Sequence, residues 1–498
     1  MRLTDLIKGI PCLLSGSSDR EVRDLVYDTR VPMDGQCVFV CIPGFRFDGH
    51  DFAEEAYKKG VRVFAAEKPL DLPEDATVLT CPSCRQFLAL AAANLFGRPA
   101  EKLTVVGVTG TKGKTSTSFM LKNILEAAGV PCGVIGSTGV YYKDVFRETV
   151  NTTPESYLLQ RTFRDMLDAG MRAVVIEAAS QGFKLDRTYG IPFAAGIFTN
   201  LSPDHIGEGE HKDFDEYLAC KRKLFDQSDV VYVNADDPHF SAITEGKDNG
   251  RPYGLSPSCP VRAENPVYRM DGHRLLTDFT AVLNGRSFPV SLGVPGHFSL
   301  YNACAAMAAA DGLAEKLGLG PHIPEAAVRE GLLTCTVRGR MEAIPSDRPY
   351  TVLIDAAHEE FSSRSLLETV RLYKPNRIIA LFGCGGNRSR LRRPGMGKAV
   401  GEGADYAIVT ADNSRLENVE DIIADILEGL KPTGCPYEIE PDRKTAIEKA
   451  LRMAREGDVI LLMGKGHENY VDCGGKKTPF SETQIVLDYW ASETTARR

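Results

Sequence analysis

Short apolar runs separated by segments of helical spacing fill two long stretches of the chain. In the first, Leu103-Thr-Val-Val-Gly-Val108 reads as a strand and residues 109–114 as a glycine-rich turn, while 116–128 carry apolar residues at helical spacing, with Gly129 as the C-cap. Further buried strands are predicted at 173–176, 194–198 and 230–233. After about Val337 the alternation restarts, with strands at 350–354, 377–382, 406–410 and 459–463 and helices at 363–373 and 419–430. Strands that are apolar throughout have no face to give to water, so both sheets are expected to be parallel and covered by helices on each side. Residues 1–100 alternate shorter strand-like and helix-like patterns and end in Asn94-Leu-Phe-Gly-Arg-Pro99, a Gly/Pro break ahead of the next apolar run. The expected fold class is therefore α/β, in three domains at 1–100, 101–337 and 338–498.

Composition narrows the possible partners. With 43% hydrophobic and 25% charged residues the chain has apolar material for several cores, and wholesale disorder is excluded. The 59 Lys+Arg against 67 Asp+Glu leave −8, and no basic block is long enough to grip a nucleic-acid backbone or an anionic membrane. Neither partner is implied. Met1-Arg-Leu-Thr-Asp5 lacks the cationic and apolar regions of a secretory leader, and no run reaches the ~18 apolar residues of a membrane span, so a cytoplasmic protein is expected. Thirteen scattered cysteines, with Cys81 and Cys84 forming the only CxxC, are expected to be reduced and mostly buried; zinc or redox chemistry at that pair is the alternative.

The strongest chemical signal is Gly107-Val-Thr-Gly-Thr-Lys-Gly-Lys-Thr-Ser-Thr117, between the strand and the helix. Backbone N–H groups over Gly110, Thr111, Lys112, Gly113 and Ser116, with the helix N-terminus and Lys114, can hold a triphosphate, and Thr115 can reach its magnesium ion. The strict Walker spacing is not met, because Val108 occupies the position of its first glycine. Glu177 stands one residue past a predicted strand, where it either ligates magnesium or is an ordinary surface or capping acid. His205, in Thr199-Asn-Leu-Ser-Pro-Asp-His205, is either a second metal or phosphate contact or a structural histidine. Lys221, in Leu218-Ala-Cys-Lys-Arg-Lys-Leu-Phe225, reads on its own as a solvated lysine, since three basic residues in a row usually make a wet helix face.

In the last domain Gly383-Cys-Gly-Gly-Asn-Arg388, Thr410-Ala-Asp-Asn-Ser-Arg415 and Gly464-Lys-Gly-His-Glu468 each close a strand. Ligands in doubly wound sheets bind at those carboxyl ends. Arg388 and Arg415 with Asp412 and Glu468 suit a zwitterionic or doubly charged small molecule, and glycine lets it approach the backbone.

Together these motifs resemble the Mur ligase family, end to end. Asp28-Thr-Arg30, Gly35, Val38-Phe39 and Asp48-Gly-His-Asp-Phe52 are similar to its uridine-binding module, Gly110–Ser116 to its ATP loop, and Asn151-Thr-Thr-Pro154 to its contact with the muramyl peptide. The resemblance implies a three-domain architecture with a central P-loop ATPase-like parallel sheet and a C-terminal Rossmann-like domain. It implies that Thr29, Arg30, Asn151, Thr152, Thr153, Ser180 and Arg187 bind the UDP-muramyl dipeptide. Two magnesium ions would fall on Thr115, Glu177, His205 and Lys221, the lysine being carbamylated by CO2 into an anion that can ligate metal. Asn302, Arg340, Asp355 and His358 would complete the ATP contacts across two domains.

Within the family the chain looks most like the members that add the third amino acid to the peptidoglycan precursor. Where diaminopimelate-adding members carry Asp-Asn-Pro-Arg, this chain has Asp412, Asn413, Ser414 and Arg415; Arg388, Gly464 and Glu468 match the rest of that pocket. Arg415 would pair with the distal carboxylate of diaminopimelate, which lysine lacks. The implied activity is ATP-dependent ligation of meso-diaminopimelate to UDP-N-acetylmuramoyl-L-alanyl-D-glutamate through an acyl phosphate, by a monomer. The same reaction with L-lysine or another amino acid, and a non-catalytic nucleotide- or precursor-binding paralogue, are the alternatives. A folate-extending ligase would not need residues 1–100, and a P-loop switch protein would not need the second α/β unit. The chain departs from the family pattern at Ala179, Ser299, Ala356, Asn387, Ser389 and Ser414.

Overall fold

The computed structural model describes residues 1–207 and 209–496, without the side chains of 494–496. The chain divides into two compact units, Met1–Arg262 with Cys304–Val328, and Ala263–Ala303 with the chain from Arg329 onward.

The first unit holds two sheets. The smaller has five strands in the order Leu13–Ser15, Thr77–Thr80, Val63–Ala66, Cys37–Val40, Asp24–Val26, parallel except for the first. The larger runs Gly250–Tyr253, Val231–Asn234, Ala195–Phe198, Thr104–Thr109, Ala173–Glu177, Cys132–Gly136, all parallel, and finishes in an antiparallel hairpin, Gly139–Tyr142 and Val145–Arg147. Thr104–Thr109 and Ala173–Glu177 are buried along their whole length, as apolar strands covered on both faces must be. The register sets the site: Val108 lies opposite Glu177, and Thr109 opposite Phe198, so the loops after three adjacent strands open on one sheet edge.

The helix after the central strand spans Lys114–Ala127, two residues earlier than its apolar spacing suggests. Gly113, left-handed at φ +85°, is its N-cap, so Lys114, Thr115 and Ser116 form the first turn, whose N–H groups have no partner within the helix. At the other end Gly129 follows the C-cap at φ +78°.

In the second unit a six-stranded sheet runs Glu342–Ala343, Thr351–Asp355, Val459–Met463, Ile378–Phe382, Tyr406–Val409, Tyr437–Ile439. It is parallel except for the short Glu342–Ala343 strand. A three-stranded meander, Val261–Asp271, Arg274–Leu283 and Arg286–Leu292, precedes it in the chain. Its Leu275 packs with Leu353, Leu366 and Phe382 in the second unit's core, and Thr277 Oγ1 shares a 2.6 Å hydrogen bond with the Tyr373 hydroxyl. Burying a side chain such as Leu275 contributes about 1.5–3 kcal/mol. Those contacts assign residues 263–303 to the later unit despite their place in the chain.

All thirteen cysteines are free thiols and most are buried; Cys81 and Cys84 place their sulfurs 3.9 Å apart. Among the described residues no helix is long and apolar enough to cross a membrane.

Candidate active site

The loop after strand Thr104–Thr109 is built by close backbone approach. Gly110 sits at φ +140°, and a Cβ there would run into Thr199 Oγ1 and the Asn200 backbone. Thr199 Oγ1 donates to Lys112 O at 2.6 Å, Lys112 N donates to Asn200 Oδ1 at 2.9 Å, and Thr111 N to Asn200 O at 2.9 Å. The neighbouring strand thus clamps the loop from outside. Lys114 Nζ folds back on Gly110 O and Thr111 O at 2.9 and 3.1 Å, which leaves the lysine charge at the mouth of the helix N-terminus, where an anion binds.

Lys221 meets the same carbonyl from the other side. It lies on helix Phe214–Asp226, donates to Gly110 O at 2.8 Å, and is 2% exposed. The solvated-lysine reading is corrected: only its neighbours Arg222 and Lys223 face outward, while Lys221 packs over the Tyr217 ring at 4.6 Å. Burial, with the Lys114 charge nearby, holds the Lys221 amine well below the ordinary lysine value. An amine there gives up its proton more readily, and the unprotonated amine is the form that can add CO2.

Glu177 is the last residue of its strand and 1% exposed. Its Oε1 accepts from Thr115 Oγ1 at 2.9 Å and from Ser137 N at 3.2 Å, and Ser137 Oγ lies 3.4 Å away. A buried carboxylate flanked by two hydroxyls is a hard oxygen donor set of the kind magnesium takes. Among the described residues His205 is exposed, its backbone at φ +56° and its Nδ1 2.8 Å from Glu210 Oε1.

Thr153 ties the proposed precursor contacts to the same strand end. Its Oγ1 donates to Glu177 O at 2.8 Å and accepts from Ala179 N at 2.9 Å, while Arg187 Nη1 donates to Thr153 O at 3.0 Å. Ser180 is buried at the start of helix Ser180–Lys184; Asn151 is exposed and Thr152 half-buried. Thr29 and Arg30 follow strand Asp24–Val26, where Arg30 is paired with Asp28 at 2.7 Å and holds that carboxyl below its usual range. Lys59 Nζ donates to Thr29 O at 2.7 Å.

In the second unit Asn302 lies buried on helix His297–Gly312. Arg340 and Asp355 sit together: Asp355 accepts from Met341 N and Ala357 N, both at 2.8 Å, while burial raises its carboxyl above the ordinary value against the pull of Arg340. His358 is exposed, with Nδ1 2.8 Å from Ala356 O. Gly339, at φ +67°, lets this loop touch the backbone of Gly466 and His467, so the Arg340 segment lies against the Gly464–Glu468 turn.

That turn joins the amino-acid candidates. Asn413 Nδ2 donates to Glu468 Oε2 at 2.7 Å, a Cβ on Gly464 would meet Asp412 Oδ2 at 2.7 Å, and Arg415 Nη1 donates to Gly386 O. Arg388 is exposed on the adjoining loop. Asp412, Asn413, Arg415, Gly464 and Glu468 thus form one cluster at the ends of strands Tyr406–Val409 and Val459–Met463, with both signs of charge in it.

Ser137 and Tyr217 are the partners that sequence reasoning missed. Gly136-Ser137-Thr138 closes an apolar strand just as the recognised loops do, which was a usable signal for Ser137. Tyr217, whose hydroxyl meets Thr111 Oγ1 at 3.0 Å, carried none, because its role depends on how its helix lies against the loop.

Residues 31–95 match the Mur ligase family, catalytic domain; 108–310 match the Mur ligase middle domain; and 339–466 match the Mur ligase glutamate ligase domain. A UDP-N-acetylmuramoyl-L-alanyl-D-glutamate--2,6-diaminopimelate ligase of Clostridium perfringens is 37% identical over 98% of this chain and 99% of its own. One from Caldanaerobacter subterraneus is 38% identical over 99% of each. A solved structure of a ligase with the same name superposes with a TM-score of 0.73 at 26% identity over 99% of both chains. The MurF ligase of Thermotoga maritima, in complex with ADP, shares the fold, with a TM-score of 0.59 at 18% identity over 96% of this chain and 99% of its own. The chain belongs to the Mur ligase family.

Proposed function

We propose that this ligase uses ATP to join meso-diaminopimelate to UDP-N-acetylmuramoyl-L-alanyl-D-glutamate, as a cytoplasmic monomer working in peptidoglycan precursor synthesis. The strongest support in the geometry is the convergence of Lys114 and Lys221 on the Gly110 carbonyl, with Thr115 and Glu177 in contact beside them. The full-length similarity to diaminopimelate ligases names the substrates. Segments 1–100, 101–337 and 338–498 then serve the uridine, ATP and amino-acid ends.

The D-glutamyl γ-carboxylate attacks the γ-phosphorus of ATP, the bond to ADP breaks, and an acyl phosphate forms. The amine of diaminopimelate attacks the acyl carbon, phosphate leaves, and the lost amine proton passes to solvent. Lys114 and the first-turn N–H groups of its helix neutralise the phosphoryl oxygens through both halves. Thr115 and Glu177, with His205 and a carbamate on Lys221, would hold magnesium, which supplies further charge neutralisation at the phosphates. The unprotonated Lys221 amine would take up CO2 by forming an N–C bond and releasing a proton to solvent. Thr29, Arg30, Asn151, Thr152, Thr153, Ser180 and Arg187 bind the precursor; Asn302, Arg340, Asp355 and His358 bind ATP. Arg388, Asp412, Asn413, Arg415, Gly464 and Glu468 bind the amino acid, Arg415 taking the distal carboxylate.

The decisive assay supplies ATP, magnesium and the UDP-muramyl dipeptide with diaminopimelate, lysine or other amino acids singly, and weighs the product. Phosphate release and a product of the added mass with diaminopimelate are expected. No phosphate release with any of them would overturn the ligase reading, and turnover with lysine alone would overturn the choice of amino acid.

A further inference from the structure

Lys465 lies within the Gly464–Glu468 turn but has no role in the chemistry above. It is 1% exposed, and its ammonium is fully used: Nζ donates to Asn413 Oδ1 at 3.0 Å, to Tyr470 O at 3.0 Å and to Asp412 Oδ1 at 3.3 Å. An ammonium has three protons, so no donor is left for a ligand. It therefore does not bind substrate directly.

Its effect falls on the Asn413 amide. Asn413 Oδ1 also accepts from Asp472 N at 2.9 Å, so two donors face one end of the amide and only the oxygen can stand there. The amide nitrogen is thereby turned to Glu468 Oε2, at 2.7 Å. The other carboxylate oxygen, Oε1, lies 3.4 Å from the Tyr470 hydroxyl, on the residue whose carbonyl Lys465 holds. Without the lysine, the amide keeps only the Asp472 N–H to set its direction, and Asp412 loses its buried counter-charge.

We infer that Lys465 is a positioning residue for the amino-acid substrate, fixing the Asn413 amide and through it the Glu468 carboxylate in the orientation that receives a substrate ammonium group. The inference rests on the amino-acid site proposed above and extends it to a residue that never touches the substrate.

Full-length protein is assayed with saturating ATP and UDP-muramyl dipeptide while diaminopimelate is varied. Lys465→Met raises the KM for diaminopimelate at least tenfold, with kcat changed less than threefold and the KM values for ATP and the dipeptide within twofold. Lys465→Arg, which keeps donors toward Asp412 and Asn413, recovers part of the loss. Unchanged kinetics, or a fall in kcat at constant amino-acid KM, overturns the inference. If Lys465→Met does not fold, Lys465→Gln takes its place, losing the charge and one of the three donors, and an unchanged amino-acid KM there also overturns the inference. A wild-type protein that releases no phosphate with any amino acid defeats the proposed function itself, an outcome separable from an active wild type with a silent Lys465→Met.

Discussion

In the first unit the candidate phosphate loop, Gly110–Ser116, is one contiguous run to which Glu177 and Lys221 are brought from other elements, and backbone does much of the holding. Two lysines converge on the Gly110 carbonyl, and the clamp from Thr199 and Asn200 is made of short contacts to main chain. In the second unit the candidate cluster is gathered from separate strand ends and rests on buried ion pairs. Lys465 lies against Asp412; Arg443 pairs with Glu482 while donating to Ala411 O and Met463 O; Arg393 pairs with Glu417 and Asp425. A phosphate is matched by a turn of N–H groups, which local sequence can encode. A zwitterion needs side chains of both signs at fixed places, and those must be braced from beneath.

The largest expected effect lies at the nucleotide end, where one buried side chain, Lys221, would complete the metal-holding set. Lys221→Ala is expected to lower turnover by at least about 10³-fold, as loss of preorganised charge stabilisation does. Added short carboxylic acids recover part of it if a carboxylate is what the position supplies. The unliganded variant should be no less stable than the parent, because a desolvated amine has been removed. Phosphate-release assays and thermal melts read both, and full activity would remove Lys221 from the chemistry.

At the braced end the largest effect belongs to stability. Arg443 and Glu482 are each buried to a few percent exposure and lie 2.8 Å apart. Arg443→Met strands a buried carboxylate and is expected to cost about 3–5 kcal/mol, much of it returned in the Arg443→Met, Glu482→Leu double variant. Trp490, the only tryptophan, packs in the second unit's core with Nε1 donating to the Tyr350 hydroxyl at 2.8 Å, so its fluorescence during urea unfolding reports this unit alone. A cost below about 1 kcal/mol would mean that the pairs are not what braces the cluster.

Selectivity comes next in size. Arg415→Ala is expected to reduce kcat/KM for diaminopimelate by about 10- to 100-fold, the worth of a charge-assisted hydrogen bond, while leaving that for lysine almost unmoved. Equal losses for both amino acids would place Arg415 in the scaffold, not against the distal carboxylate.

Much of this contrast was legible in the chain, and unevenly so. Strand, glycine turn and helix around Gly110–Thr115 are sequential and were read to within two residues, because a phosphate loop is a local structure. The turns at Gly383, Thr410 and Gly464 were also visible as strand ends, but nothing in them showed that Lys465 is fully buried and turns the Asn413 amide. The Lys221 burial was equally hidden, since a run of Lys-Arg-Lys says nothing about which of the three a helix turns inward. The meander at 261–292 carried an alternating signal in Arg274–Leu283, yet only its packing on Leu353 and Leu366 assigns it to the later unit.

The smallest effect tests how far the backbone-held description extends. Ser137 meets the buried Glu177 twice: its hydroxyl lies 3.4 and 3.5 Å from the two carboxylate oxygens and 3.2 Å from Thr115 Oγ1, and its N–H donates to Oε1 at 3.2 Å. Ser137→Ala removes the long hydroxyl contacts and leaves the main-chain one, and Thr115 still donates to Oε1 at 2.9 Å. A hydrogen bond to a carboxylate contributes about 1.5–3 kcal/mol at good geometry and less at 3.4–3.5 Å, so kcat/KM for ATP should fall about two- to tenfold. Thr115→Val, which takes the shorter bond, should cost more. If Ser137→Ala instead abolishes turnover, side chains matter at the nucleotide end as they do at the amino-acid end, and the contrast between the two regions fails there.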